Sequence, residues 1–371
     1  MTIASQSGSK SNDLRASNPA EMARVAAARH GNQDEFTGLT EPYRRELQVH
    51  CYRILGSRHE AEDLVQETLL RAWRRLDTYQ GRASFRAWLY KIATNACLDA
   101  LGRRRARRTL PPLVGPAADP RAPLQTANRE SMWLEPMPDA WIVEAASGPE
   151  ARYTLHESVS LAFTAALQVL PPRQRAVLIL NDVLDWPARD VRELLGLTLS
   201  SVHSALHRAR VTMSVRYHGQ PTEAALRPLS DERTRQLLAR YVSAWQNADV
   251  AGLVALLKED AAFAMPPASS WYSSRGAIGA FAAVTVFGDE GMFAGVAKGR
   301  WQLRPVGANG QPAYVVYQRA EGYTYAAFGL LVLALAGDQI AACTCFIDPA
   351  LPPVFGQPLT IEEIDGTTNV A

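Results

Sequence analysis

The hydrophobic period of this chain changes class near residue 220, and that change limits its fold more than any other feature. Upstream, apolar residues recur at three- and four-residue spacing. Tyr43, Leu47, Cys51 and Leu55 form one stripe, and Ala61, Leu64, Val65, Leu69, Ala72, Trp73 and Leu76 a second. Phe85, Trp88, Leu89, Ile92, Ala96 and Leu101 form a third. Each stripe is the buried face of an α-helix. Downstream of the Gln220–Pro228 joint lie two helical patterns, Glu232–Gln246 and Val250–Leu257. Strand-like runs follow: Ala261–Met265, Arg300–Val306, Ala313–Arg319, Tyr323–Leu335 and Gln339–Ile347. Ala308-Asn309-Gly310, Glu321-Gly322 and Gly337-Asp338 punctuate them as turns. Helices followed by antiparallel strands specify an α+β domain with a curved sheet. The chain is therefore multidomain.

The upstream half divides again. Between Thr109 and Pro149 eight prolines fall in 41 residues, a composition that reads as an extended linker. Within it Trp133, Leu134, Met137, Trp141 and Ile142 are expected to pack on the nearest domain, a partner-binding role being the alternative. Helical patterning returns as Leu155–Leu170, Pro172–Asp182, Pro187–Leu195 and Leu199–Tyr217. The third segment stops at Gly196 and the fourth opens with Thr198 as N-cap, the outline of a helix-turn-helix. The expected division is a disordered tail (1–33), a helical domain (34–108), a linker (109–150), the helix-turn-helix domain (151–218), the α+β domain (230–356) and a C-terminal tail (357–371). One weak helical run, Pro19–Arg29, interrupts the first tail.

Charge is segregated in a way the net +2 of the 371 residues hides. Arg71–Arg108 holds 11 Lys/Arg against two acids, a net of +9 that ends in five arginines between Arg103 and Arg108. Asp231–Ala371 holds 9 Lys/Arg against 13 Asp/Glu, a net of −4. The basic strip is suited to a nucleic acid, because each cation set against a phosphate releases condensed counterions. No stretch reaches the ~20 apolar residues of a membrane span. Met1–Asn18 has no apolar core of the kind a signal peptide carries. Four cysteines (Cys51, Cys97, Cys343, Cys345) show no metal-ligand spacing, and Cys343 and Cys345 fall on one face of a strand. A cytoplasmic protein without membrane, metal or cofactor is expected.

Outward positions carry the chemistry. Along Glu60–Asp77 the apolar face leaves Glu62, Asp63, Gln66, Glu67 and Leu70 outside, either a solvated face or a docking surface for a basic partner helix. On the next helix Arg86, Lys91, Asn95 and Asp99 project with Arg103, Arg104 and Arg105. The loop before it is Tyr79, Gln80, Gly81 and Arg82. Aromatic and amide groups beside a cationic track suit a single strand, whose bases stack or are captured while cations hold the backbone. In the helix-turn-helix Ser200, Ser201, His203 and Ser204 open the second helix, with Arg208 and Arg210 following. Short polar groups there enter a major groove while arginines hold phosphates.

Two long, collinear stretches resemble a known family. "EAEDLVQETLLRAWRRL" (Glu60–Leu76) and "FRAWLYKIATNACLDALGRRR" (Phe85–Arg105) are similar to region 2 of extracytoplasmic-function (ECF) sigma factors. "LPPRQRAVLILNDVLDWPARDVRELLG" (Leu170–Gly196) with "SSVHSALHRAR" (Ser200–Arg210) resembles their region 4. The likeness covers residues 34 to 218. It implies core RNA polymerase and promoter DNA as partners. Asp63, Gln66, Glu67 and Leu70 would dock on the clamp helices of the largest subunit, and region 4 would meet the flap. Tyr79–Arg82 and Asn95 would capture and read the unwound −10 strand. The last helix would read the −35 duplex, with His203 where the family commonly carries Asn. Residues 237–267 and Trp271–Phe281 resemble the SnoaL/NTF2-like cone fold that a subgroup fuses to its sigma regions.

The resulting fold class is two all-α sigma domains, a region 2 helical bundle and a region 4 helix-turn-helix, plus an α+β SnoaL/NTF2-like cone. Met265, Trp271, Tyr272, Phe281, Tyr314 and Phe346 are candidates to line a small-molecule pocket there, although aromatic positions in such a fold are more often core. All seven histidines (30, 50, 59, 156, 203, 207 and 218) lie upstream of the cone, so none serves it as a general base. The expectation is a non-enzymatic initiation factor tuned in cis by its cone. The alternatives are a DNA-targeted ligand-binding or enzymatic SnoaL-like protein and a plain helix-turn-helix regulator.

Overall fold

The computed structural model describes residues 19–103, 108–113, 115–122, 124, 132–145, 156, 158–217, 231–288, 296–320 and 324–362. They form two compact units, one built from residues up to Arg108 with Ala140–His218, the other from Thr109–Asp139 with Gly219–Ala371.

The first unit is helical. Its first module comprises α1 (Pro19–Arg29), α2 (Gln33–Thr40), α3 (Arg44–Leu55), α4 (Arg58–Arg74) and α5 (Phe85–Arg103). Local chemistry sets the ends. Ser57 Oγ accepts from Glu60 N (3.2 Å) to cap α4, and Gly56 closes α3 at φ 69°, a conformation glycine adopts without strain. Leu47, Cys51, Val65, Ala72, Phe85 and Leu89 of the expected stripes form the core. The expected disorder through residue 33 is corrected for α1, whose Val25 and Ala28 are buried. Two small apolar residues make a weak periodic signal, and the helix is held by side-chain contacts that periodicity does not register. Residues 1–18 lie outside the described residues.

The second module holds α7 (Leu161–Val169), α8 (Pro172–Leu178), α9 (Ala188–Leu195) and α10 (Leu199–Arg216). Ser160 Oγ accepts from Phe163 N (3.3 Å) and caps α7, while the expected start at Leu155 lies outside the described residues. The helix-turn-helix outline holds: Gly196 ends α9 at φ 64°, and Thr198 Oγ1 accepts from Ser201 N (3.1 Å) to start α10.

A buried polar joint packs the two modules together. Arg175 on α8 donates to the Ile54 carbonyl of α3, to Gln168 Oε1 (2.6 Å), to Gln168 O (2.9 Å) and to Leu170 O (3.0 Å). Gln168 in turn donates to Arg53 O (3.2 Å), and Arg53 Nε to Ser158 O (3.3 Å). The rings of Tyr90 and Trp186 meet with centroids 5.2 Å apart.

His50 sits nearby in the core, its Nε2 2.9 Å from Thr94 Oγ1. Burial, with Arg53 and Arg86 close by, pushes its pKa from 6.5 down to about 3. The unfolded chain therefore binds one more proton between these values. The stabilisation is complete above about pH 6.5 and is lost as the pH falls toward 3, at about 1.4 kcal/mol per pH unit. Urea unfolding from pH 7 to 5 should show this slope flattened in His50→Asn; parallel curves for the two proteins would contradict it.

In the second unit α11 (Glu232–Gln246) and α12 (Val250–Ala255) precede a curved sheet. A ribbon comes before them in the chain, β1 (Arg108–Thr109) with β2 (Met132–Trp133). The sheet itself comprises β3 (Leu257–Ala264), β4 (Trp271–Ser273), β5 (Trp301–Ala308), β6 (Gln311–Arg319), β7 (Thr324–Ala336), β8 (Gln339–Phe346) and β9 (Thr360–Glu362). Its order is β4-β3-β8-β7-β6-β5, with β9 on β7 and α13 (Arg275–Phe281) following β4. Asn309 (φ 57°) and Gly310 (φ 69°) make the tight β5–β6 turn, as their sequence suggests. The core gathers Tyr241, Trp245, Phe263, Trp301, Leu331 and Cys343. Cys343 and Cys345 are both buried on that face, as their spacing requires.

The proline-rich stretch is not a free tether, which corrects the linker expectation. Residues 109–139 belong to the second unit. Ala118 N donates to Trp271 O (2.8 Å), Trp271 Nε1 to Gly115 O (2.9 Å), and Met137 N and Asn309 exchange two bonds of 2.9 Å. Proline excludes helix but leaves carbonyls and the remaining N–H groups free to pair with strands. The stretch ends in a helix, α6 (Asp139–Ala145). Asp139 Oδ1 accepts from Gly310 N (2.7 Å), and burial pushes its carboxyl up to about 7. Trp141 is buried in the first unit beneath the Arg45 guanidinium, 5.6 Å from the ring centroid, so this tryptophan packs as expected.

Candidate nucleic-acid interface

α4 presents two faces. Ala61, Val65, Thr68 and Ala72 are buried, and Asp63, Gln66 and Leu70 are exposed on the other side. Glu67, half-buried, pairs with Arg71 at 2.7 Å, and that hydrogen bond holds its carboxyl below the usual carboxylate range. Leu70 stays 43% exposed amid these acids. An exposed leucine one turn from Gln66 and Glu67 gives this face an apolar spot beside polar and acidic groups, a combination suited to a partner surface of matching make-up.

α5 follows the expected division in part. Lys91, Asn95 and Asp99 are exposed one turn apart, and Arg103 continues that end of the helix. Asp99 lies 3.5 Å from Arg71, so it tempers part of the positive track. Arg104 and Arg105 lie outside the described residues. Arg86 departs from expectation. It forks onto Glu46 with bonds of 2.8, 3.0 and 2.9 Å and lies over the Tyr90 ring at 5.0 Å. Its bidentate partner on α3 turns it into a tie between helices, and Glu46 was the missed residue.

The loop before α5 departs similarly. Tyr79 is only 3% exposed and packs on Phe85 and Trp88, with ring centroids at 5.4 and 5.2 Å. It anchors the loop and offers no stacking face, which corrects the exposed aromatic expected there. Gln80 and Arg82 are exposed and Gly81, at φ 70°, turns the chain between them. In α10 Ser200, Ser201, His203, Ser204 and Arg208 are exposed at the helix start and along the next turns. Arg210 is instead held by Asp182 through bonds of 2.9 and 2.7 Å.

In the second unit, five of the six pocket candidates (Met265, Tyr272, Phe281, Tyr314 and Phe346) are buried among core side chains, with Tyr272 stacked on Phe281 at 4.3 Å. Trp271 is half-buried and bonded to Gly115. The cavity beside them, lined by Tyr241, Trp245, Phe263, Phe281 and Cys343 among others, measures about 10 Å³. That is about the room one water molecule needs. Burial pushes the Cys343 thiol up to about 12, away from nucleophilic use at neutral pH. Among the described residues no group of three His, Cys, Asp or Glu side chains could hold a metal, and no helix is long and apolar enough to cross a membrane.

Comparison with known proteins agrees with this geometry. Residues 39–108 match the Sigma-70 region 2 family and residues 160–213 the Sigma-70 region 4 family. The ECF RNA polymerase sigma factor SigG of Mycobacterium tuberculosis is 44% identical over 326 residues, covering 87% of this chain and 84% of that protein. SigW of Bacillus subtilis, an ECF sigma factor, is 28% identical over 191 residues, 50% of this chain and 91% of the relative. The crystal structure of the Mycobacterium tuberculosis sigma factor SigJ superposes with a TM-score of 0.55 at 22% identity, over 87% of this chain and 99% of that one. That likeness concerns fold, and it accords with two helical sigma domains followed by an NTF2-like cone. With both sigma regions present in order and 44% identity extending across them and into the sheet-rich unit, the chain belongs to the ECF RNA polymerase sigma factors, non-enzymatic proteins that bind core RNA polymerase and promoter DNA to initiate transcription.

Proposed function

We propose that the exposed acidic face of α4 (Asp63, Gln66, Glu67 and Leu70) docks on the clamp helices of the largest polymerase subunit and that the second module meets the flap. Gln80, Arg82, Lys91, Asn95 and Arg103 take the unwound −10 strand. Ser200, Ser201, His203, Ser204 and Arg208 read the −35 duplex from α10. The observation that carries this reading is the separation of roles on one module: Asp63, Gln66 and Leu70 exposed beside a half-buried Glu67 on α4, a cationic and amide track exposed along α5. Strand separation is driven by binding energy, with no bond made or broken.

The cone acts in cis. A cavity of about 10 Å³ is too small for a metabolite as it stands, so contact with the rest of the chain or with polymerase is favoured over ligand sensing. We assign the domain limits accordingly, as sigma region 2 to Arg108, sigma region 4 to His218 and the cone with the proline-rich stretch thereafter.

Transcription by core polymerase from duplex and pre-melted promoters tests this. Asn95→Ala should cut initiation from the duplex template about tenfold and from the melted one less, with −35 binding unchanged. Equal losses on all three readouts would make Asn95 a structural residue. A chain ending near residue 230 in the same assay should bind core normally with altered output, and identical output would remove the regulatory role from the cone.

A further inference from the structure

Three side chains of α1 converge on the loop that precedes α5. Glu21 Oε1 lies 3.3 Å from the Tyr79 hydroxyl and accepts from Phe85 N at 3.3 Å, so one carboxylate touches both ends of the loop. The phenol proton is shared with Ala83 O at 2.9 Å. The Phe85 N–H is one of the donors that a helix start leaves without an intrahelical partner, and an anionic oxygen there is favoured by the helix dipole. Arg29, one helix length away, donates through Nε to Leu76 O (3.2 Å) and through its terminal nitrogen to Tyr79 O, gripping the chain just before the loop. Met22 lies across the apex. A Cβ on Gly81 would come within 2.9 Å of its Sδ, so the thioether packs against the turn, while the positive φ of 70° is what calls for glycine there.

None of this packing is explained by core burial. Val25 and Ala28 already seat α1. The polar contacts instead fix the backbone on either side of the Gln80-Gly81-Arg82 turn, where Gln80 and Arg82 are exposed. A loop that must receive an unstacked base gains affinity when its shape is set beforehand, because ordering it on binding costs conformational entropy.

We propose that Glu21 is a positioning residue for −10 strand capture, holding the Gln80–Arg82 loop in its receptive shape, with Arg29 and Met22 as supports. The proposal rests on the assignment of that loop to the −10 strand. Glu21 touches no base and acts through Tyr79 and the start of α5.

The test uses full-length protein assembled with core polymerase. Its readout is affinity for a single-stranded −10 non-template oligonucleotide and for copies altered at one base, beside core affinity and affinity for a −35 duplex. Glu21→Ala should weaken single-strand binding about tenfold and flatten the preference between oligonucleotides, leaving core and −35 binding unchanged. Glu21→Gln should restore it, since the amide oxygen accepts the same bonds. Tyr79→Phe should weaken it less, and combining it with Glu21→Ala should add little, as expected for two ends of one contact. Should Glu21→Ala lower the melting temperature, Tyr79→Phe, which keeps the ring packing, decides. Wild-type selectivity in Tyr79→Phe and Glu21→Ala would overturn the proposal. Gln80→Ala with Arg82→Ala separates the two levels of inference. If that pair leaves single-strand affinity intact, the loop assignment itself fails; if it weakens binding while the Glu21 variants do not, only the role of α1 falls.

Discussion

Protein carrying Asp63→Asn together with Glu67→Gln is expected to bind core polymerase about 30-fold more weakly, a loss of about 2 kcal/mol, while its thermal unfolding is unchanged. Asp63 is exposed and belongs to no ion pair the described residues form within the protein, so its charge is available to a partner. Glu67 is engaged with Arg71, and its neutralisation has a second effect: the amide oxygen still accepts from the guanidinium but no longer offsets its charge, which adds positive charge to the face proposed to meet a basic helix. Surface pairs of this kind contribute little to folding, which is why stability should not follow affinity. Titration of labelled protein with core enzyme at two salt concentrations measures this. Undiminished affinity at both would remove α4 from the docking surface.

Arg175→Met should lower the stability of the helical unit by about 3 kcal/mol, the cost of leaving buried acceptors unpaired, a drop in melting temperature on the order of 10 °C. The arginine is buried and donates to the carbonyls of Ile54, Gln168 and Leu170 and to Gln168 Oε1. Methionine fills the volume but donates nothing, so buried acceptors on both modules lose their donor together. Urea unfolding followed by helical circular dichroism reads the change. A difference below about 1 kcal/mol would mean that water enters and replaces the guanidinium. The exposed start of α10 is untouched by this substitution, so −35 binding well below the melting point should persist.

Much of this protein is legible without coordinates. The α3, α4 and α5 stripes, the Gly196–Thr198 turn and the Asn309-Gly310 hairpin each depend on contacts within a few residues, where spacing and cap chemistry suffice. The exposed rows Asp63–Gln66–Leu70 and Lys91–Asn95–Asp99 follow from the same period, as the faces left over when the apolar one is buried. Local pattern is silent where a side chain's partner is distant in the chain. Arg86 looked like part of a cationic track until Glu46, forty residues earlier, claimed it. Tyr79 looked like an exposed stacking ring until Phe85 and Trp88 enclosed it.

Sequence alone determined the class of the segments with strong apolar period, the charge separation between halves and, through two long motifs, the family. Periodicity and composition are local sums, and they survive any arrangement of the elements. Only the tertiary structure decided which polar side chains face solvent and which are consumed as ties, that α1 belongs to the first module, and that the proline-rich stretch lies on the cone. Those outcomes hinge on directional hydrogen bonds between residues tens of positions apart, whose geometry exists only once the helices and strands have packed.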